Sequence, residues 1–143
     1  MELFFAHVRL RISCCTGKCM FTHVMVGTND LERAKKFYDA TFAVLGVKPA
    51  TIDGHRMFYR SKTGSFGVGK PINGEPPTVA NGGTISFAVE STEQADAWHA
   101  AGVANGGTAI ENPPGIRGMG AVQLYLAYLR DPDGNKLAVM KRL

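Results

Sequence analysis

The chain predicts an α+β fold of two tandem βαβββ modules, on three observations. Residues 21–27 and 84–89 both alternate apolar and polar side chains, as strands with one buried face do. Each is followed by a helix signal that opens on a capping residue and closes on a glycine. The two halves also keep register. With His23 placed on Thr84, Phe37 falls on Trp98 and Gly46 on Gly107, although the identities differ. Patterns matched at a fixed offset mark an internal duplication. The expected architecture is a curved mixed sheet forming a cleft, with the helices outside.

A chain of 143 residues makes one domain or two very small ones. Its 45% hydrophobic and 20% charged composition is that of an ordinary globular protein. The net charge is +4, and Arg9, Arg11 and Lys18 against Glu2 put half of it in the first 19 residues. The remaining charges are scattered, without the basic stripe that nucleic acid requires. No apolar run is long enough for a membrane span. Leu3-Phe4-Phe5-Ala6 is too short for a signal-peptide core, so a cytoplasmic protein is expected. Residues 1–19 read as an N-terminal extension outside the fold. They hold all three cysteines, Cys14, Cys15 and Cys19, which lack the further ligand that finger spacing would supply.

In the first module (residues 20–70), strand 21–27 puts Val24 and Val26 on one face and His23 and Met25 on the other. Asn29 as N-cap with Glu32 three residues on reads as a capping box. Leu31, Ala34, Phe37, Tyr38, Phe42 and Leu45 recur at helical spacing, and Gly46 ends the helix. Strands 47–52, 55–61 and 65–70 follow, separated by Asp53-Gly54 and Lys62-Thr63-Gly64.

Residues 71–83 hold three prolines and three glycines and read as a linker. The second module (84–143) opens on a strand whose Ile85, Phe87 and Val89 oppose Thr84, Ser86 and Ala88. Ser91 with Gln94 is a second capping box, and helix 92–101 carries Ala95, Trp98 and Ala101 before Gly102 closes it. A strand near 107–111 leads to a Pro/Gly-rich loop, 112–120. Strands 121–130 and 136–141 then form a hairpin about Asp131-Pro132-Asp133-Gly134, where Pro presets φ and Gly accepts positive φ.

Alternation gives each sheet two faces. Val24, Val26, Ile85, Phe87, Val89, Leu137 and Val139 face the helices. The opposite face carries His23, Met25, Thr84, Ser86, Ala88, Ala138 and Met140. It is too polar and too small in volume for a packed core and reads as the lining of a ligand-sized cleft.

The motifs His23-Val24-Met25-Val26, Asp30-Leu31-Glu32-Arg33 and Phe37-Tyr38, with the Thr84 strand and Asp131-Pro132-Asp133-Gly134-Asn135-Lys136-Leu137, follow one another across residues 20–143. In that order they resemble the vicinal oxygen chelate superfamily, which includes glyoxalase I, bleomycin-resistance proteins, extradiol dioxygenases, fosfomycin-resistance thiol transferases and methylmalonyl-CoA epimerase. The resemblance implies the glyoxalase-like paired-module fold. In metal-dependent members the first and last strands of the modules supply four ligands to one Zn²⁺, Ni²⁺, Mn²⁺ or Fe²⁺. The ion polarises two adjacent substrate oxygens. Carried over by position, His23 matches the first ligand. Thr84 is a poor ligand, Ala138 stands where the final carboxylate would, and none of Ser65–Lys70 is Asp, Glu or His. A divergent member without the metal centre is therefore expected, with no cofactor. A divalent ion on non-standard ligands is the alternative.

By the same resemblance, Tyr128 stands where extradiol dioxygenases carry an active-site tyrosine, four residues before Pro132. His23 and Tyr128 are the candidate acid/base groups, against readings as a paired histidine and an ordinary sheet aromatic. Thr84 and Ser86 are candidate hydrogen-bonding groups, against simple strand propensity. Met25, Phe58, Phe66 and Met140 are a candidate apolar wall, with Ala138 between them. Arg117 in its Pro/Gly-rich loop, and less so Arg56 and Lys70, are candidates for an anionic group, against solvated surface charge. No thiol nucleophile is available in residues 20–143, and neither a nucleophile elbow nor a phosphate loop is present.

Three functions follow. The first is a metal-independent homodimer that binds a small, largely apolar molecule, to sequester or transform it. The second is a metal-dependent lyase, of the lactoylglutathione lyase kind, or a dioxygenase. The third is an interaction protein that keeps the cleft without using it.

Overall fold

The computed structural model describes residues 20–143, so the expectations for the tail and its cysteines lie outside the described residues. The first half runs β1 (His23–Gly27), α1 (Leu31–Val44), β2 (Ile52–Asp53), β3 (Arg56–Arg60) and β4 (Ser65–Gly69). The second runs β5 (Ile85–Ala88), α2 (Thr92–Ala104), β6 (Thr108–Ala109), β7 (Gly115–Met119), β8 (Val122–Arg130) and β9 (Lys136–Arg142). The fold is α+β with two mixed sheets, ordered β1-β4-β3-β2 and β5-β9-β8-β6. In each sheet the first strand pairs parallel with the last: Met25 stands beside Gly67, and Ser86 beside Ala138.

Burial separates the two sheet faces. Val89, Leu137, Val139, Met57, Tyr59, Phe66 and Val68 are buried on the helix side. His23, Met25, Ser86, Ala88 and Met140 are exposed on the other. The sheets meet through aromatic edges: Phe87 of β5 lies 5.4 Å from Phe66 and 5.2 Å from Phe42, ring centre to ring centre. Such T-shaped pairs set positive ring edges on negative faces. Helices α1 and α2 pack together, with Gln94 Nε2 donating to Val44 O at 2.9 Å.

Several elements differ from expectation. Asp30, not Asn29, caps α1, accepting from Arg33 N, while the backbone amide of Asn29 donates to Asp133. Gly102 does not close α2. It lies inside the helix, and a Cβ there would sit 2.2 Å from Leu129 Cδ1, so the glycine permits close packing on β8. Helix α2 ends at Ala104, with Asn105 as its C-cap and Gly106 at φ 99° as its C′ residue. The true counterpart of Gly46 (φ 74°) is thus Gly106 rather than Gly107, because α2 is one residue shorter than α1. β2 spans two residues rather than six. The loop expected over 112–120 contains β7, which lies along the edge of β8 that β6 also occupies.

The Asp-Pro-Asp-Gly hairpin ties the halves together. Gly134 N donates to Asp131 O at 2.9 Å, and Gly134 has φ 98°, giving a type I turn with a glycine bulge. Asp131 is 3% exposed and accepts from Tyr38 Oη (2.5 Å), Asn135 Nδ2 (2.8 Å), Asn135 N (2.8 Å) and Asp133 N (3.0 Å). Asp133 accepts from Thr28 Oγ1, Asn29 N and Arg33 Nη2, and Asn135 Nδ2 donates to Gly27 O. The turn closing the second sheet is therefore fastened to the end of β1 and the start of α1.

Burial, then the charge and hydrogen bond of Asp131, push the Tyr38 hydroxyl well above the usual tyrosine range. Burial and Asp39 do the same to Tyr59, whose Oη donates to Asp39 at 2.8 Å. Unfolded tyrosines lose their protons near pH 10, with each raised group linked to stability by about 1.4 kcal/mol per pH unit. A raised folded-state pKa leaves stability intact below that pH and removes it as pH rises further. The urea midpoint is expected to hold to about pH 10 and fall above it, and Tyr38→Phe or Tyr59→Phe should flatten the fall. A midpoint equally steep in both variants would contradict this.

Candidate functional site

The open faces of the sheets carry the candidate residues in two groups. On the first sheet, β1, β4 and β3 place Met25, Gly67 and Phe58 side by side. His23 stands edge-on to Phe58, with ring centres 6.3 Å apart, and its Nδ1 lies 3.1 Å from Thr22 Oγ1. Beside Met25 is a concavity of about 470 Å³, lined also by His55, Gly69 and Pro77. The linker closes it on one side: a Cβ on Gly27 would meet Pro77 Cβ at 2.5 Å.

On the second sheet, Ser86, Ala138 and Tyr128 stand in one row, and Ala88, Met140 and Leu126 in the next. Lys136 Nζ lies 5.0 Å above the Tyr128 ring, and the Arg117 guanidinium 5.8 Å from it. Lys136 also pairs with Glu111. Thr84 is exposed just before β5. Three concavities among the described residues are lined by one group or the other, not by both.

Phe66 does not line the open face. It alternates with Ser65 and Gly67 in β4, so it points to the helices, is 5% exposed and packs 5.1 Å from Tyr38. Ala138 faces the open side but is 1% exposed, flanked by Ser86 and Tyr128, so its methyl presents no open surface. Arg117 is committed to the backbone. Its guanidinium donates to the carbonyls of Asn112, Pro113, Gly115 and Leu126 at 2.8 to 3.3 Å, holding together the bulge between β6 and β7.

The paired strands locate the fourth metal-ligand position that the sequence left unassigned. If His23 corresponds to Thr84, then Met25 corresponds to Ser86, and Gly67 beside Met25 corresponds to Ala138 beside Ser86. A Cβ on Gly67 would meet Met25 Cγ at 2.7 Å and Phe58 Cε1 at 2.8 Å. The residues at the four positions are thus His23, Thr84, Gly67 and Ala138. Among the described residues no three His, Cys, Asp or Glu side chains cluster as metal ligands. One imidazole and one hydroxyl do not fit a divalent ion that needs three or four protein donors.

Two features escaped the sequence reading. His99 on α2 is half-buried; burial pushes its pKa down, against a hydrogen bond with the Tyr128 backbone. Its spacing of four from buried Ala95 was the available signal. Arg60 was also missed, though it alternates with Phe58 and Arg56 along one strand.

A family model described as the glyoxalase/bleomycin resistance protein/dioxygenase superfamily matches residues 20–139. Among solved structures, a glyoxalase/bleomycin resistance protein from Albidiferax ferrireducens T118 is 59% identical, with a TM-score of 0.82, covering 85% of this chain and 98% of that one. A glyoxalase/bleomycin resistance protein/dioxygenase family enzyme from Burkholderia phytofirmans PsJN is 19% identical, with a TM-score of 0.65, covering 85% and 98%. A lactoylglutathione lyase from Agrobacterium tumefaciens is 21% identical, with a TM-score of 0.59, covering 84% and 91%. The last two show likeness of fold. Comparison with curated proteins finds no match.

Proposed function

Because the chain belongs to the glyoxalase/bleomycin resistance protein/dioxygenase superfamily, we propose that it binds a small molecule with a largely apolar body on its open sheet faces, without the superfamily's divalent ion. His23 and Tyr128 are the acid/base groups of this reading, and Met25, Phe58, Ser86, Thr84 and Met140 are its contact surface. Arg117 positions the Tyr128 strand rather than meeting the ligand. A homodimer in the cytoplasm is part of the same proposal. No helix among the described residues is long and apolar enough to cross a membrane.

The observation that carries the reading is the crowding at Gly67. The thioether of Met25 and the ring of Phe58 occupy the space that a ligating side chain would need. Apolar contact has replaced coordination there, and Ala138 offers only a methyl in the matching row.

Purified protein is expected to carry less than about 0.1 equivalent of any transition metal, where a family-type site holds about one. A small-metabolite library should raise its melting temperature through binding to the native state. That rise should be reduced by His23→Ala and Tyr128→Phe. One tightly held metal per chain, lost on His23→Ala, would establish the metal-dependent lyase or dioxygenase instead. Absence of any ligand-induced shift would leave the interaction protein.

A further inference from the structure

We propose that β3 of the first sheet, with the concavity beside it, is an anion-binding site, and that the small molecule carries a carboxylate or similar anion on a planar apolar body. This rests on the reading that the open sheet faces bind a small molecule.

Arg56, Phe58 and Arg60 alternate on β3 and project from the open face, with Phe58 in the row of Gly67 and Met25, Arg56 opposite Gly69 and Arg60 opposite Ser65. The two guanidinium carbons lie 5.7 and 5.8 Å from the centre of the Phe58 ring. Both arginines are exposed, and among the described residues neither forms an ion pair. The edge of His23 meets the same ring. The result is an aromatic platform with a planar cation on either side.

The edge of this strand is open, for a reason written in the sequence. Lys70 N donates to His55 O and Ser61 N to Gly64 O. The odd-numbered residues of β3 therefore bond to β4, and Arg56, Phe58 and Arg60 turn their amides and carbonyls outward. β2 pairs Asp53 with Arg56 and Ile52 with Met57 and stops there. Continued in the same register, Pro49 would stand opposite Arg60, and it has no N–H to give. The Ala50 amide is drawn instead to Asp39 Oδ1 at 3.3 Å. Residues 45–51 thus splay away from β3 and leave a concavity of about 860 Å³ lined by Arg56, Phe58, Arg60, Lys48 and Lys62, with Asp53 its one acidic lining residue.

Four cations against one carboxylate select an anion. Guanidinium forks match a carboxylate bidentately and also stack on flat rings. The outward amide of Arg60, beyond the end of β2, adds a further donor. The volume suits a molecule of metabolite size.

The test titrates 2-naphthoate and its neutral counterpart 2-naphthamide into the full chain by calorimetry. Naphthoate is expected to bind at least about tenfold more tightly than the amide. The Arg56→Gln/Arg60→Gln double variant should bind both alike. Raising sodium chloride from about 50 to about 300 mM should weaken only naphthoate. Equal binding of the two ligands by the wild type, a preference that survives in the double variant, or no binding of naphthoate would overturn the site. A library-induced thermal shift that persists in the double variant and is lost in Tyr128→Phe would overturn this site while leaving the proposed cleft function standing.

Discussion

Replacing Asp131 with alanine is expected to cost about 3–5 kcal/mol, measured by urea unfolding followed through the fluorescence of the chain's one tryptophan. Its two oxygens take four donors, two from side chains that are themselves buried: the Tyr38 hydroxyl and the Asn135 amide. Alanine leaves both without acceptors inside the protein, at about 1–3 kcal/mol each. It also frees the amides of Asp133 and Asn135 that shape the turn. Asp131→Asn should cost less, about 1–2 kcal/mol, because one carbonyl oxygen remains to accept. Tyr38→Phe should also cost about 1–2 kcal/mol, since Asp131 keeps three of its donors. The two single changes share one bond, so the double variant should cost less than their sum. Additive losses would mean that the bond between Tyr38 and Asp131 contributes nothing.

That network explains why Asp-Pro-Asp-Gly is more than a hairpin turn. Asp131 acts inward on α1 through Tyr38, while Asp133 acts along the chain on Thr28, Asn29 and Arg33. Two carboxylates two residues apart thus fix the end of β1 against the start of β9. His23 and Ala138, one on each of those strands, are positioned by the same clamp. The turn is remote from the open faces yet sets the relation of one sheet to the other.

The fold was legible because strand alternation and helix caps are local signals. Val24 and Val26 against His23 and Met25, or Leu137 and Val139 against Lys136 and Met140, need only a period of two. Phe66 was legible in the same way, since Phe66 and Val68 alternate with Gly67 and Gly69, and bulk follows the core; its aromatic ring invited the opposite reading. Other features depended on distant contacts. A capping box at Asn29 would need its backbone amide for Glu32, and Asp133, more than a hundred residues away in sequence, takes that amide instead. Gly102 resembles a helix stop until Leu129 is seen against it. β7 is hidden by Gly115 and Gly118, which weaken strand propensity that pairing with β8 restores. The metal-ligand positions at His23, Thr84 and Ala138 were readable from order alone. Gly67 required the strand register, because a glycine carries no sign of what its neighbours fill.

Trp98→Ala is expected to remove about 3–5 kcal/mol, the cost of a large cavity in a closed core. Trp98 is fully buried, as is Phe37. Its loss opens space at the centre of the molecule rather than at a surface that can collapse. The variant lacks the fluorophore, so unfolding must be followed by circular dichroism. Trp98→Phe is the sharper experiment. The Trp98 Nε1–H is buried and finds no acceptor among the described residues, and such a donor costs about 1–3 kcal/mol. Phenylalanine removes that penalty while giving up part of the ring volume, so the net change should lie within about 1 kcal/mol. The other module already tests the substitution: Phe37, matched to Trp98 by the internal duplication, fills its own slot with a ring that has no polar atom. If Trp98→Phe were as damaging as Trp98→Ala, the indole nitrogen would have to be satisfied in solution, and the two modules would not be interchangeable at their cores.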